Sequence, residues 1–217
     1  MTDIETITEG LIDSCIIGIV RLPDPDSIVD AVGAARAGGV KAIEITMSNV
    51  NALHAIATIR ERHGDDILLG VGSVLDPETA RAAVDAGARY VISPVLSPAV
   101  IDAAHAAGAA AIAGTFTPTE AQQAHEAGSD LIKVFPAHLL GPAYISALLA
   151  PLPHLRLLPT GGIQVDNVAT HLRAGATALG VGSALFHRPT IAKGDFEGIR
   201  QRARALMHAV REARRSP

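Results

Sequence analysis

Five alanine-glycine pairs, Ala37-Gly38, Ala86-Gly87, Ala107-Gly108, Ala127-Gly128 and Ala174-Gly175, each separate a helix-forming stretch from a short apolar run. Glycine just past a helix end is a C-cap signal, so each pair marks a passage from helix to strand. Where the interval doubles, a further apolar run fills it, at Ile67 to Ser73 and at Arg156 to Thr160. The unit is about 20 to 25 residues of strand plus helix, the size of a compact βα repeat. Strands are predicted at Ile16 to Arg21, Ala42 to Met47, Ile67 to Ser73, Tyr90 to Val95, Ala110 to Phe116, Leu131 to Pro136, Arg156 to Thr160 and Ala178 to Gly182. Alternating β and α elements point to parallel pairing. Eight such units close into an α/β fold of the (β/α)₈ TIM-barrel type. An open doubly wound sheet is the competitor, but no Gly-x-Gly-x-x-Gly fingerprint follows the first strand.

With 217 residues, 48% of them hydrophobic, and no low-complexity break, the chain can bury one large core, so one domain over 1–217 is expected. Aromatics are 3% and tryptophan is absent, which leaves Ala, Val, Ile and Leu to fill a barrel interior. The segment before Ile16 reads as a short helix packed against the barrel. Ile199, Ala203, Leu206 and Val210 fall at helical spacing and predict an extra C-terminal helix. Its Arg200, Arg202, Arg204, Arg211, Arg214 and Arg215 form a solvated face. A net charge of −4 without another basic stripe argues against a nucleic-acid partner. No run approaches a membrane span, and Met1 to Leu11 hold no signal-like apolar stretch, so no membrane association and a cytoplasmic location are expected. The lone Cys15 excludes an intramolecular disulfide and reads as a small buried hydrophobe.

Two charges interrupt apolar strands. Lys133 stands in Leu131-Ile132-Lys133-Val134-Phe135-Pro136 and Glu44 in Ala42-Ile43-Glu44-Ile45-Thr46-Met47. A buried charge is costly unless paired or neutralised, and a desolvated lysine amine beside a second titratable group can attack a ketone. A structural ion pair with no chemistry is the other reading. In a parallel barrel the active site forms at the C-terminal strand ends. Arg21, Glu44, Thr46, Ser73, Lys133 and Phe135 gather there, with Glu44 and Thr46 on one strand face and Lys133 and Phe135 on another. The last two strands run into Thr160-Gly161-Gly162 and Gly180-Val181-Gly182-Ser183, where backbone N–H groups can bind phosphate. A pair of tight turns explains the glycines as well. Most of the nine histidines fall in predicted helices without metal-ligand spacing, so no metal is expected. His138 reads as a solvated loop residue beside the mouth.

Several runs in order resemble a known family: Gly39-Val40-Lys41-Ala42-Ile43-Glu44-Ile45-Thr46, Gly70-Val71-Gly72-Ser73-Val74-Leu75, Ile92-Ser93-Pro94, Phe116-Thr117-Pro118-Thr119-Glu120, Ile132-Lys133-Val134-Phe135-Pro136-Ala137, Leu158-Pro159-Thr160-Gly161-Gly162-Ile163 and Gly180-Val181-Gly182-Ser183. The chain is similar to the class I aldolases of 2-keto-3-deoxy-6-phosphogluconate and 4-hydroxy-2-ketoglutarate. The resemblance implies a Schiff base on Lys133, proton transfer by Glu44, Ser73 near the keto acid, and Gly161, Gly162 and Ser183 at the substrate phosphate. It also implies pyruvate as a product, no cofactor and a homotrimer. Many relatives carry an arginine four residues after the glutamate, where this chain has Ser48; Arg21 resembles a first-strand arginine of other members and can supply the cation. The Ser48 departure and Gly141-Pro142-Ala143-Tyr144-Ile145 resemble members acting on the galactonate epimer, and the same features occur in phosphogluconate-type members. A non-covalent sugar-phosphate isomerase or epimerase and a non-catalytic sugar-acid sensor are the competing functions.

Overall fold

The computed structural model describes residues 3–22 and 25–215. Residues 1, 2, 23, 24, 216 and 217 of the expected 1–217 domain lie outside the described residues. The first elements are α1 (Asp3–Ser14), β1 (Ile16–Val20), α2 (Pro25–Ala37), β2 (Ala42–Thr46), α3 (Ala52–His63) and β3 (Leu68–Gly72). There follow α4 (Pro77–Asp85), β4 (Tyr90–Ile92), α5 (Pro98–Ala106), β5 (Ala110–Thr115), α6 (Pro118–Glu126) and β6 (Leu131–Val134). The chain ends with α7 (Gly141–Leu149), β7 (Leu157–Pro159), α8 (Val168–Arg173), β8 (Leu179–Val181), α9 (Arg188–Ile191) and α10 (Phe196–Arg215).

All eight expected strands form, in the order β7-β6-β5-β4-β3-β2-β1-β8, and every pair is parallel. A parallel bridge between Thr160 and Gly180 brings the β7 and β8 ends together, so the sheet closes into the (β/α)₈ barrel. The strands are shorter than the apolar runs. Arg21, Met47, Ser73, Phe116 and Phe135 all fall just past strand ends, where the chain turns away to start the next helix.

The alanine-glycine pairs act as helix stops. Gly87, Gly108, Gly128 and Gly175 have φ between 80° and 115°, and the N–H of Gly87 bonds the Val84 carbonyl while that of Ala88 bonds Ala83. The first pair differs by one residue, because Gly39, not Gly38, takes the left-handed conformation at φ 104°. Gly38 instead lies against Ala203 and the Arg200 carbonyl of α10, where a methyl group would overlap both.

Two apolar layers result. The outer one packs helices on the barrel and includes Ile199, Ala203, Leu206 and Val210 of α10, the face the spacing predicts. The inner one fills the barrel with Ile17, Tyr90, Ile92, Ile112, Leu131 and Leu158, and Ile7 and Leu11 of α1 plug it at the N-terminal end. Cys15 is buried, as expected. Arg214 departs from a purely solvated face: it donates to the Ile12 and Asp13 carbonyls, placing a cation at the C-terminal end of α1.

Small residues set the shape of the interior. A side chain at Gly70 would overlap the Tyr90 ring, which has no room to retreat inside a closed cylinder. Gly70→Ala is therefore expected to cost about 1–3 kcal/mol, read as a lowered melting temperature. Adding Tyr90→Leu should recover much of that loss, and independent effects of the two changes would contradict this packing.

Candidate active site

A cavity of about 360 Å³ opens at the C-terminal end of the barrel, lined by Arg21, Glu44, Ser73, Lys133, Phe135, Thr160, Gly161, Gly182 and Ser183 together with Ile19, Pro94, Phe186 and Arg188. Nine of the residues singled out by sequence thus share one space. Thr46 and Gly162 do not line it.

Lys133 projects from β6 and is 6% exposed, with Nζ 5.2 Å from the Phe135 ring centroid, within cation–π range. Its register neighbours are Gly114 and Leu158, neither of which carries charge. Glu44 sits in the middle of β2, 1% exposed, and its carboxylate fills the space over Gly72, where any side chain would overlap it. Among the described residues no ion pair joins Glu44 to Lys133, and Glu44 Oε2 has no hydrogen-bond partner. The ion-pair reading of the two charges is thereby corrected. They belong to different strands of a rigid cylinder, and the space between them is the cavity itself.

Burial raises the Glu44 pKa above its ordinary value of 4.5, while the nearby cations Lys133 and Arg21 oppose the rise. A carboxyl kept from water yet facing two cations is suited to gain and lose a proton rather than to remain a fixed charge.

The floor and rim are held by local bonds. Ser73 follows β3 in the left-handed region at φ 61°, a costly conformation for a residue with a side chain and one that collects at functional sites. Thr160 is buried over Gly180, which has no side chain to exclude it. Gly161 and Gly162 have φ of 96° and 75°, and the loop they make is tied by Asn167, whose Nδ2 donates to the Gly162 carbonyl at 2.9 Å. Among the described residues, none accepts from the N–H groups of Gly161, Gly162 or Ser183. Gly162 turns its Cα towards His138, which is exposed beside the glycine loop as the sequence reading expects.

Thr46 has a bracing position. Its hydroxyl donates to the Val20 carbonyl at 3.2 Å and lies 2.8 Å from Ser48 Oγ. Asn49 completes the brace, donating to the Val20 and Thr46 carbonyls at 3.0 and 2.8 Å and accepting from the Leu22 N–H at 2.6 Å. These bonds clamp the backbone on both sides of Arg21.

The sequence reading passes over Asn49 and Arg188. Asn49 is buried in the turn that follows β2. Arg188 starts α9, and its Nε donates to the Arg21 carbonyl at 3.4 Å. Its only sequence signal is its place shortly after the second glycine-rich strand end. Among the described residues no three His, Cys, Asp or Glu side chains gather as a metal site requires, and no helix is long and apolar enough to cross a membrane.

A family model for KDPG and KHG aldolase matches residues 7–202. The chain is 38% identical over 198 residues to the 2-dehydro-3-deoxy-phosphogluconate aldolase of Treponema pallidum, covering 89% of this chain and 92% of that one. It is 35% identical over 199 residues to the 2-dehydro-3-deoxy-6-phosphogalactonate aldolase of Escherichia coli, covering 91% and 95%. The solved native KDPGal structure superposes with a TM-score of 0.86 at 34% identity over 92% of this chain and 96% of that one.

The buried carboxyl of Glu44 carries a stability consequence. Because the folded state holds this proton to higher pH than the unfolded chain, stability falls as pH rises from the ordinary value of 4.5 to the raised one. Glu44→Gln cannot ionise, so it is expected to match the native protein at about pH 4 and to melt several degrees higher at about pH 8. Calorimetric scans at the two pH values check this, and an equal gap at both would contradict it.

The chain belongs to the KDPG and KHG aldolase family and is a lyase of the aldolase type.

Proposed function

We propose that the chain is a Schiff-base aldolase that reversibly cleaves 2-keto-3-deoxy-6-phosphogluconate to pyruvate and glyceraldehyde 3-phosphate. The observation that carries this reading is a nearly buried Lys133 opening into the same cavity as a fully buried Glu44, without an ion pair that would occupy either. In the proposed reaction the neutral amine of Lys133 adds to the C2 ketone, and loss of water leaves an iminium. That cation draws electrons from the C3–C4 bond as Glu44, directly or through a water, takes the C4 hydroxyl proton. The aldehyde leaves, Glu44 returns a proton to C3 of the enamine, and water releases pyruvate and the amine.

The remaining residues have supporting tasks in this reading. Arg21 faces the substrate carboxylate, Ser73 and Thr160 border the keto acid, and Phe135 walls the lysine. The glycine loops with Ser183 offer N–H groups to the phosphate, Gly161 and Gly182 from the cavity wall and Gly162 from the loop behind it. Thr46 acts from outside the cavity, as the brace on Arg21.

A second reading keeps the chemistry and changes the sugar acid to the galactonate epimer. Ser48 favours it: no arginine stands there, its hydroxyl is engaged with Thr46, and the nearby cations are Arg21 and Arg188, which border a second pocket with it. Comparing kcat/KM for the two sugar acids side by side decides between the readings.

We also propose that residues 1–217 act as one domain and assemble as a homotrimer. Val50, Leu75, Val95 and Phe116 are 41–64% exposed and follow β2, β3, β4 and β5 in turn, an apolar arc on the barrel rim that a subunit contact would cover. A phosphorylated sugar acid does not cross membranes passively, so the proposed site of action is the cytoplasm.

Incubation with pyruvate followed by borohydride is expected to add a reduced pyruvyl group to Lys133, located by peptide mass spectrometry. Lys133→Ala should show no adduct and no turnover, and Glu44→Gln should lower kcat by roughly 10²–10⁴-fold. A folded native protein that acquires no adduct would sink the reading. In sedimentation, a trimer is expected for the native chain and smaller species for Leu75→Glu; a native monomer would refute the assembly.

A further inference from the structure

The barrel interior holds a polar group for which the aldol chemistry has no use. Tyr90 begins β4, is fully buried and is the bulkiest of the fully buried side chains. Its register partner on β3 is Gly70, which is also the register partner of Glu44 on β2. Glu44, Gly70 and Tyr90 therefore form one row across three adjacent strands. A side chain at Gly70 would overlap Cδ2, Cε2 and Cζ of Tyr90, so the hydroxyl-bearing end of the ring lies over β3, the strand that separates it from Glu44. At the next inward position, Gly72 leaves the Glu44 carboxylate its space.

Two polar atoms of this row are unmatched. Tyr90 Oη and Glu44 Oε2 are both buried, and neither has a hydrogen-bond partner among the described residues. Orphaned polar atoms inside a protein are uncommon, and internal water is the usual way of satisfying them. The two side-chain-free positions on β3 are taken by the Tyr90 ring and the Glu44 carboxylate, which sets the two polar groups side by side over one strand.

We propose that Tyr90 is a positioning residue for Glu44, its phenol donating through one internal water to Glu44 Oε2. The inference rests on the aldolase reading, in which Glu44 moves the substrate's protons. The phenol stays protonated throughout, since burial and the Glu44 charge both push its pKa well above the ordinary value of 10.0. It is thus a fixed donor, and the travelling proton belongs to Glu44 alone. The other charged groups facing Glu44 are Lys133 from β6 and Arg21 past the end of β1, while β3 presents Gly70, Gly72 and the hydroxyl of Ser73. A donor on the ionised carboxylate favours the charged form. Tyr90 therefore works with the two cations against burial, and it does so from below, where the substrate does not reach.

Tyr90→Phe removes only the oxygen and keeps the ring that packs on Gly70. The test measures pyruvate trapping by borohydride, exchange of the pyruvate methyl protons with deuterated solvent across pH, and thermal unfolding. Trapping should match the native protein. Exchange should slow by about fivefold near neutral pH, and its acidic limb should move up by about half a pH unit, because Glu44 loses a donor to its charged form. KM for pyruvate should stay within about twofold, since the phenol touches no substrate atom. An unchanged exchange rate and limb would overturn the proposal, as would a variant that melts higher than the native chain with an unchanged profile, the mark of an orphaned phenol. If the variant does not fold, a crystal structure of the native protein decides: a water within hydrogen-bond distance of both oxygens supports the proposal and its absence ends it. Native protein that traps no pyruvate would instead remove the aldolase reading itself.

Discussion

A buried carboxyl and a buried amine held in one cavity, close enough to feel each other but not joined, is the arrangement on which the rest of this structure turns. Collapse into an ion pair would satisfy both charges and leave nothing for a ligand to do. The barrel prevents it by placing Glu44 on β2 and Lys133 on β6, with three strands in rigid register between them. The cost of keeping Glu44 from water appears as its raised pKa, which the two nearby cations only partly offset. Stability given up at this point is regained by the two apolar layers and by the plug of α1 beneath them.

Glycine is the means by which the interior is shaped. Gly72 makes room for the Glu44 carboxylate, Gly70 for the Tyr90 ring and Gly180 for Thr160, while Gly114 lets the Pro94 backbone pass close over β5. Each would overlap a neighbour if it carried even a methyl group. Positions that in an ordinary barrel hold branched side chains are here hollowed on the side that faces the mouth. The strands fix Ile19, Glu44 and Lys133 in the cavity, while the rest of its lining lies past the strand ends; the two charges are thus held at fixed positions, as such chemistry needs.

The repeat of helix, glycine and strand was legible because it is local. C-cap glycines and apolar runs report their own backbone state, and all eight strands and both flanking helices follow from them. Lys133 and Glu44 were legible for a different reason, since a lone charge in an apolar strand is an exception that demands an explanation. What escaped was non-local. Nothing near Asn49 tells that it bonds Val20 and Leu22 across a barrel turn, and nothing near Arg188 tells that α9 returns it to the carbonyl of Arg21. Thr46 shares a strand face with Glu44, so alternation alone puts both in the cavity. Its last-residue position on β2 and the carbonyl of Val20 draw its hydroxyl aside instead.

The distribution of charge around the mouth follows from that clamp. Ser48, engaged by Thr46, adds no cation of its own after β2 and borders a second pocket with Arg21 and Arg188, while Ser73 and Pro94 continue a neutral rim past β3 and β4. Arg21 and Arg188 stand together on the β1 and β8 side, next to the glycine loops whose N–H groups have no acceptor among the described residues. The mouth is thus polarised, positive along the arc from β7 to β1 and neutral opposite. Such a field orients an anionic ligand before any single hydrogen bond is made. In the proposed reaction the glycine loops beside Arg188 take the phosphate end and Arg21 the carboxylate, and the keto group is then left over Lys133 with Glu44 on its far side.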